Sequence, residues 1–278
     1  MEQTLLLSAL DIERFHDQGF LSIPRITTND EVIRIRGLYD RLFEQRAGWD
    51  RGDFFDFAGL DESGSPATVP QLSEPSQYEP ALKDTIFRKN AHALARQLLG
   101  PDAELVFEHA MLKPAGIGGE TPWHQDEAFY PRFTNYRSLT FWMPLQPVDQ
   151  FNGCLEFIPH SNNGPLLQHR SINNDKRIHG LEALGVDESG KVICPLDEGG
   201  ATVHGYRTLH HAAPNRTDGP RRAYALAFGV RSKAYTLREE FSWNLAKETA
   251  REKRAASAQG IMRRYLAGLK RSVKTIIR

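Results

Sequence analysis

The chain has 278 residues, of which 40% are hydrophobic and 25% charged, and its formal net charge at pH 7 is zero. This composition predicts a globular protein with one large core, and the balanced charge argues against nucleic acid as a partner. No apolar stretch reaches membrane-spanning length, so no integral membrane association is expected. Cys154 and Cys194 are too few for a disulfide framework, which predicts a reducing, cytoplasmic location.

The first hundred residues are read mainly as helices. A capped helix is predicted from Ser8 to Gln18, followed by a short strand over residues 20–24 that Pro24 ends. Thr28 and Glu31 have the spacing of a capping box, which predicts the start of a second helix. A third helix is predicted over roughly residues 81–99, before Gly100 and Pro101.

Residues 46–76 lack any periodicity, and Gly, Asp, Ser and Pro interrupt them. We therefore predict a long loop. It contains three phenylalanines, Phe54, Phe55 and Phe57. Two interpretations stay open, because these rings could anchor a surface loop in the core or belong to a lid over a substrate.

After residue 100 the pattern changes to short strands separated by Gly and Pro. The predicted strands cover residues 104–113, 139–143, 154–158, 200–203 and 223–230. Helices followed by such strands predict a mainly β protein with peripheral helices (α+β), built as an antiparallel sandwich or barrel. We predict a single domain over residues 1–278, with N-terminal helices in 1–100, a β core in about 101–232 and a helical tail in 239–278.

The tail combines a helical apolar stripe with a marked excess of basic residues. Its cations are Lys247, Arg251, Lys253, Arg254, Arg263, Arg264, Lys270, Arg271, Lys274 and Arg278. From Lys247 onward, only Glu248 and Glu252 oppose them. Such a helix is suited to weak contact with a membrane surface or an anionic partner. Packing of the tail on its own domain, with the charges in solvent, is the more usual arrangement.

The most informative motif is His-x-Asp at His124 and Asp126. Residues two apart in a strand project to the same face, so this pair can hold one metal ion. His210 supplies a distant third ligand, with His211 and His204 as neighbouring alternatives. Two imidazoles and one carboxylate on one face of an octahedron are typical of non-haem Fe(II) oxygenases, because they leave coordination positions open.

Arg221 follows His210 by eleven residues. A guanidinium can form two parallel hydrogen bonds to a carboxylate, which is what a metal-bound 2-oxoglutarate requires at its far end. The pairing of His210 with Arg221 therefore favours His210 over the other histidines as the third ligand.

These motifs resemble those of the phytanoyl-CoA dioxygenase family of Fe(II)/2-oxoglutarate-dependent oxygenases. The resemblance extends from the N-terminal helix to about Val230. It rests on His-Gln-Asp at 124–126, on the Asn-Gly-Cys-Leu turn at 152–155 with Pro159 and Ser161 after it, and on the H-x4-N-x5-R pattern of His210, Asn215 and Arg221.

The resemblance implies a double-stranded β-helix (jelly-roll, cupin-like) core with Fe(II), 2-oxoglutarate and O2. By similarity, His124, Asp126 and His210 are the iron ligands, Arg221 binds 2-oxoglutarate, and Trp142 lies against it. The implied reaction hydroxylates a C–H bond of a small molecule and releases succinate and CO2. Desaturation and ring formation stay open.

The chain departs from the family pattern at a few positions. His160 and Asn162 stand where the family commonly has glycine and histidine, Gly200 replaces an aspartate, and Ala212 replaces a serine. None of these changes removes a predicted ligand. Two other functions also stay open, namely a non-catalytic cupin-like metal- or ligand-binding protein and a zinc-dependent hydrolase or lyase that uses the same ligands.

The sequence does not select a substrate. Residues suited to an apolar or ring-containing molecule are Phe54, Phe55, Phe57, Phe129 and Tyr130. Residues suited to an anionic molecule are Arg132, Arg137 and Arg207. Glu127 and Phe133 also follow the first two ligands closely, and we predict that residues 127–133 line the substrate entrance.

Overall fold

A computed structural model describes residues 5–61, 64, 66–131, 136–231 and 240–260. The helices are α1 (Ala9–Gln18), α2 (Asn29–Glu44), α3 (Ile86–Leu99) and α4 (Ser242–Leu245), and residues 250–260 are also helical. Within these described ranges, every helix is too short or too polar to cross a bilayer.

Two antiparallel sheets form the body of the protein. The strands are β1 (Phe20–Ile23), β2 (Phe54–Asp56), β3 (Pro70–Ser73), β4 (Glu104–Lys113), β5 (Thr121–His124), β6 (Tyr136–Pro144), β7 (Leu155–Phe157), β8 (His169–Ser171), β9 (Leu181–Ala183), β10 (Val192–Cys194), β11 (Ala201–Gly205), β12 (His210–Ala212) and β13 (Arg221–Arg231).

The larger sheet has the order β1-β11-β6-β13-β4-β3-β2, and the smaller one has the order β10-β7-β12-β5. A separate pair is formed by β8 and β9. This arrangement confirms the predicted mainly β class with peripheral helices and a double-stranded β-helix core.

Alternation along β6 explains how the larger sheet separates two cores. Leu139, Phe141 and Met143 belong to the main core, which α2 and α3 cover with residues such as Ile35 and Leu94. The intervening Trp142 belongs instead to a second cluster with Cys154, Leu155 and Phe157 of the smaller sheet. One face of the sheet thus packs on helices, and the other faces the space between the sheets.

Helix capping follows the sequence only in part. Ser8 and Asp11 form the full capping box that starts α1. At α2, Thr28 accepts from the Glu31 N–H, but the Glu31 carboxylate does not return to Thr28. It accepts instead from the N–H groups of Ile86 and Phe87 at 2.7 and 2.8 Å, so it caps the first turn of α3.

The predicted long loop over residues 46–76 is wrong for two stretches, because β2 and β3 pair with each other and β3 pairs with β4. Asp56 holds the connection between them by accepting from the N–H groups of Thr68 and Val69 at 2.7 and 2.9 Å. Strands of three or four residues show no local periodicity, and their partner strand lies far along the chain. Phe54 packs in the main core, whereas Phe55 and Phe57 form a third cluster.

The third predicted helix is shorter than expected. Residues Pro80–Asp84 form a 3₁₀ turn, and α3 begins at Ile86 with Thr85 as its N-cap. The first hundred residues also contribute β1, β2 and β3 to the larger sheet, in addition to the helices that the sequence predicts there.

The described part of the basic tail packs on its own domain. Arg251 donates from Nε to the carbonyl of Gly52 at 3.0 Å, and Arg254 donates to the carbonyl of Trp49 at 2.9 Å. Two of its basic residues therefore turn toward the protein rather than toward solvent. The rest of the predicted helix, residues 261–278, lies outside the described residues.

Candidate metal centre and active site

Two strands of the smaller sheet bring the predicted ligands together. His124 ends β5 and pairs directly with His210, the first residue of β12, so that their rings lie 4.1 Å apart. Asp126 follows two residues after His124. The ligand atoms of His124, Asp126 and His210 lie within 4.8 Å of one another, and the three residues could hold a metal ion.

Hydrogen bonds to the backbone orient both imidazoles. Nδ1 of His124 lies 2.7 Å from the carbonyl of Pro122, and Nδ1 of His210 lies 2.9 Å from that of Thr208. Because a carbonyl only accepts, each Nδ1 carries the proton and each Nε2 keeps its lone pair. Burial lowers the pKa of both histidines, so both are neutral at pH 7. This is the state that binds a metal ion.

The two oxygens of the Asp126 carboxylate have different contacts. Its Oδ2 accepts from the Thr140 hydroxyl at 2.8 Å and lies 3.5 Å from Nε2 of His204. Its Oδ1 faces the Nε2 atoms of His210 and His124 at 3.5 and 3.9 Å. Burial alone would raise the pKa of Asp126, but the surrounding imidazoles bring this pKa below its ordinary value. The ionised carboxylate can therefore present Oδ1 to a cation.

The two alternative ligands, His204 and His211, line the same cavity but are not part of the three-residue group. His211 follows His210 on β12 and donates from Nε2 to the Glu120 carboxylate at 2.9 Å, while its ring stacks on that of Trp123 with the centroids 5.1 Å apart. His204 lies on β11 of the larger sheet, and its ring is 4.2 Å from that of His210. His204 is thus a neighbour of the centre rather than a member of the three-residue group.

Arg221 at the start of β13 is a buried cation with free hydrogen-bonding capacity. It is 1% exposed, and within the described chain its Nε and Nη1 atoms have no hydrogen-bond partner. Burial lowers its pKa to about 10, so it remains charged at neutral pH. Trp142 lies beside it, with the guanidinium 5.4 Å from the ring centroid and with an unpartnered Nε1. An unpaired buried charge is costly, and a bound carboxylate would offset that cost.

One cavity of about 900 Å³ connects these groups. The three candidate ligands, Arg221 and Trp142 line it, together with the apolar side chains of Phe57, Met111 and Phe129. A cavity of this size is in the usual range for organic ligands. The residues present therefore fit a divalent metal, a dicarboxylate and a further small molecule.

Only some of the residues that the sequence suggested for substrate binding line the cavity. Phe129 and Tyr130 line the cavity, as predicted for the entrance. Arg207 forms an ion pair with Glu127, and Arg137 donates to the carbonyl of Leu99, so both arginines are already engaged. Arg132 and Phe133 lie outside the described residues.

Several cavity residues carried no sequence signal. Gln71, His109, His179 and Lys247 all line the cavity, yet none belongs to a motif. Strand alternation could have flagged His109, because it lies on β4 one residue from the fully buried Ala110. Lys247 looked like one cation of a solvated tail.

Comparisons with known proteins agree with this geometry. The model of the phytanoyl-CoA dioxygenase (PhyH) family matches residues 15–223. Among solved structures, EvdO2 from Micromonospora carbonacea var. aurantiaca is 39% identical with a TM-score of 0.75, and the match covers 87% of this chain and 99% of EvdO2. The structure of EvdO2 complexed with 2-oxoglutarate matches at 37% identity and a TM-score of 0.73, with the same coverage of both chains.

Curated relatives point the same way. A probable alpha-ketoglutarate-dependent hypophosphite dioxygenase of Stutzerimonas stutzeri is 29% identical over 166 residues, which cover 58% of this chain and 57% of the relative. A phytanoyl-CoA dioxygenase domain-containing protein 1 of Danio rerio is 23% identical over 284 residues, with 87% of this chain and 96% of the relative covered.

Proposed function

The chain belongs to the phytanoyl-CoA dioxygenase family and is an Fe(II)/2-oxoglutarate-dependent dioxygenase, and from that premise we propose how its own residues divide the work. Nε2 of His124, Oδ1 of Asp126 and Nε2 of His210 bind the iron. Arg221 binds the far carboxylate of 2-oxoglutarate. The observation that carries this assignment is that Nε and Nη1 of Arg221, in the same cavity as the three ligands, have no hydrogen-bond partner within the described chain.

The chemistry divides between the bound groups and the protein. Iron(II) held there supplies, with 2-oxoglutarate and O2, the oxidation that hydroxylates a C–H bond of the substrate while succinate and CO2 leave. The chain itself binds, orients and excludes water. Thr140 fixes the rotation of the Asp126 carboxylate, and the Phe57 and Phe129 rings, both about 6 Å from the His124 ring, keep water away from the centre.

The substrate that the cavity supports is a small organic molecule. A relative is named for hypophosphite, an inorganic anion, but a cavity of about 900 Å³ whose lining includes Phe57, Met111 and Phe129 has room for a larger molecule. Aromatic rings near the His124 ring favour a substrate with an apolar or ring-containing part beside the reacting C–H bond.

We infer the cellular location from the two cysteines. Cys154 and Cys194 are both free and buried, which supports a reducing, cytoplasmic compartment. Burial raises the pKa of the Cys154 thiol to about 12, so this thiol is not a nucleophile at neutral pH.

The decisive experiment measures cosubstrate binding and turnover together. Purified protein is titrated with 2-oxoglutarate in the presence of Fe(II) without oxygen, and succinate is then measured after oxygen is admitted with a panel of small molecules. We expect iron-dependent 2-oxoglutarate binding in the wild type and succinate release that rises with the right substrate. Tightly held zinc without 2-oxoglutarate binding would contradict the assignment.

A further inference from the structure

Residues 240–260 form a wall of the cavity, which we call the C-terminal wall. Trp243 and Asn244 both donate to the carbonyl of Ala128 at 3.0 Å, two residues after Asp126 in the chain. Asn244, Lys247 and Arg251 line the cavity alongside the metal-binding group. A segment far along the chain therefore faces the same space as the reaction centre.

Lys247 is a cation within this wall that has no acceptor. Its Nζ lies 5.0 Å from the Phe129 ring centroid, and that ring lies 5.9 Å from the His124 ring. Among the residues that the structure describes, none accepts a hydrogen bond from Nζ of Lys247 or forms an ion pair with it, and its backbone N–H donates to the carbonyl of Asn244. Burial lowers its pKa to about 8, with Glu252 raising and Arg251 lowering it. A half-buried, unpaired ammonium in a cavity wall is typical of a ligand-binding group.

His179 supplies a second unsatisfied donor on the same side. Nη1 of Arg251 donates to His179 Nε2 at 3.3 Å, so the proton of this neutral ring is on Nδ1. Burial, reinforced by Lys247 and Arg251, lowers the pKa of His179 well below its ordinary value. Its buried Nδ1 has no partner within the described chain. The ring lies 6.0 Å from Phe129, as part of the same aromatic group.

We propose that Lys247 binds an anionic group of the primary substrate, such as a carboxylate, phosphonate or sulfate, with Nδ1–H of His179 as a second donor. This inference rests on the proposed function, since it places the anion across Phe129 from the C–H bond that reacts. Two donors without acceptors are complementary to an anion, and the arginines that the sequence suggested for this role are engaged elsewhere.

The test uses the full-length protein loaded with Mn(II), which does not turn over, and 2-oxoglutarate. Phenylphosphonate and the uncharged benzamide serve as probes, and calorimetry measures the affinity of each. The variants are Lys247→Met, which keeps the length of the side chain, and Lys247→Arg, which keeps its charge. Lys253→Met is the matched control, because Lys253 lies on the same segment and is exposed.

We expect phenylphosphonate to bind the wild type and Lys253→Met with equal affinity and to bind Lys247→Met at least about tenfold more weakly. Its affinity should be restored in Lys247→Arg. Benzamide affinity should be the same in all four proteins. Equal phenylphosphonate affinity in Lys247→Met, no preference for it over benzamide in the wild type, or weaker 2-oxoglutarate binding in Lys247→Met would each overturn the inference. Failure of the wild type to bind 2-oxoglutarate would instead contradict the proposed function.

Discussion

The strand side of the cavity, with His124, Asp126 and His210, contrasts with the C-terminal wall opposite it. On the strand side each imidazole is hydrogen-bonded to the backbone, and paired strands fix its position. In the C-terminal wall two side chains anchor the segment to Ala128, and Lys247 has no polar partner in the described chain. Arg251 and Arg254 also hold this segment, so the difference lies in the side chains themselves. Under the proposed assignment, the imidazoles that bind the metal are oriented by hydrogen bonds, whereas the Lys247 ammonium keeps its donors free.

The substitution Asp126→Ala tests the strand side of the cavity most directly. Because Asp126 supplies the only carboxylate of the proposed centre, we expect iron affinity to fall by at least about 100-fold and succinate release to reach background. Binding of 2-oxoglutarate should fall as well. Lys247→Met is the control from the opposite wall and should keep iron binding. Unchanged iron affinity in Asp126→Ala would place the metal elsewhere.

Arg221→Ala should affect the binding of 2-oxoglutarate without affecting the binding of iron. Loss of a charge-assisted pair predicts 2-oxoglutarate affinity that is weaker by roughly 10- to 100-fold, with iron binding retained. The 2-oxoglutarate affinity of Arg221→Lys should lie between those of the wild type and Arg221→Ala, because an ammonium keeps the charge but cannot form the bidentate contact. Anaerobic calorimetric titration measures both ligands. An unchanged affinity for 2-oxoglutarate in Arg221→Ala would contradict the role given to this residue.

His169 connects the two sides and predicts a pH dependence. Its Nε2 accepts from the N–H of Gln125 at 3.2 Å, its Nδ1 donates to Leu167 at 2.8 Å, and its ring lies 5.5 Å from Trp243. Burial lowers the pKa of His169 to about 4 from 6.5. The unfolded chain therefore takes up this proton first on acidification, and stability falls as pH drops from 6.5 toward 4.

At pH 5 this single group should cost about 2 kcal/mol of the free energy of unfolding relative to pH 7.5. Urea denaturation at both pH values, in the wild type and in His169→Gln, measures the difference. The variant should lose less stability on acidification by about that amount. An identical loss in both proteins would show that His169 does not titrate as its burial predicts.

The smallest expected effect is that of Trp243→Phe. This change keeps an aromatic ring stacked on Phe241, which lies 4.6 Å away, but removes the hydrogen bond to Ala128. We expect the local stability of the C-terminal wall to fall by about 1 kcal/mol, with no change elsewhere. Hydrogen exchange should accelerate in residues 240–260 and not in β5. Equal acceleration in both would mean that the two sides form one cooperative unit.

The sequence was sufficient where the chemistry depends on local spacing. The His-x-Asp spacing identified two residues that lie together, but strand alternation is the wrong reason, because β5 ends at His124 and Asp126 begins a 3₁₀ turn. The need for a cation that could hold 2-oxoglutarate indicated Arg221, which is buried and whose Nε and Nη1 have no hydrogen-bond partner within the described chain. The sequence was insufficient where a role depends on distant partners. The short strands β2 and β3 exist because they pair with each other and with β4, and no three-residue segment reveals such pairing.

The C-terminal wall shows the same limit for charge. The predicted continuous helix from residue 239 is wrong around Lys247, which lies in the break between α4 and the helix over residues 250–260. Basic residues look alike in a sequence whether they face water or a cavity, so the sequence could not distinguish Lys247 from Lys253. Only the packing of the segment on Ala128 and Gly52 makes that distinction. Capping had a similar outcome at Glu31, whose carboxylate leaves its own helix to cap α3.

The hydrogen bond from the Thr140 hydroxyl to Oδ2 of Asp126 affects how many coordination positions the protein would occupy at a bound metal ion. Because Oδ2 already accepts this hydrogen bond, Oδ1 is the oxygen of Asp126 that would more readily bind the metal ion. An octahedral ion has six positions. An aspartate that binds through one oxygen would occupy a single position, which would leave more of them for 2-oxoglutarate and dioxygen.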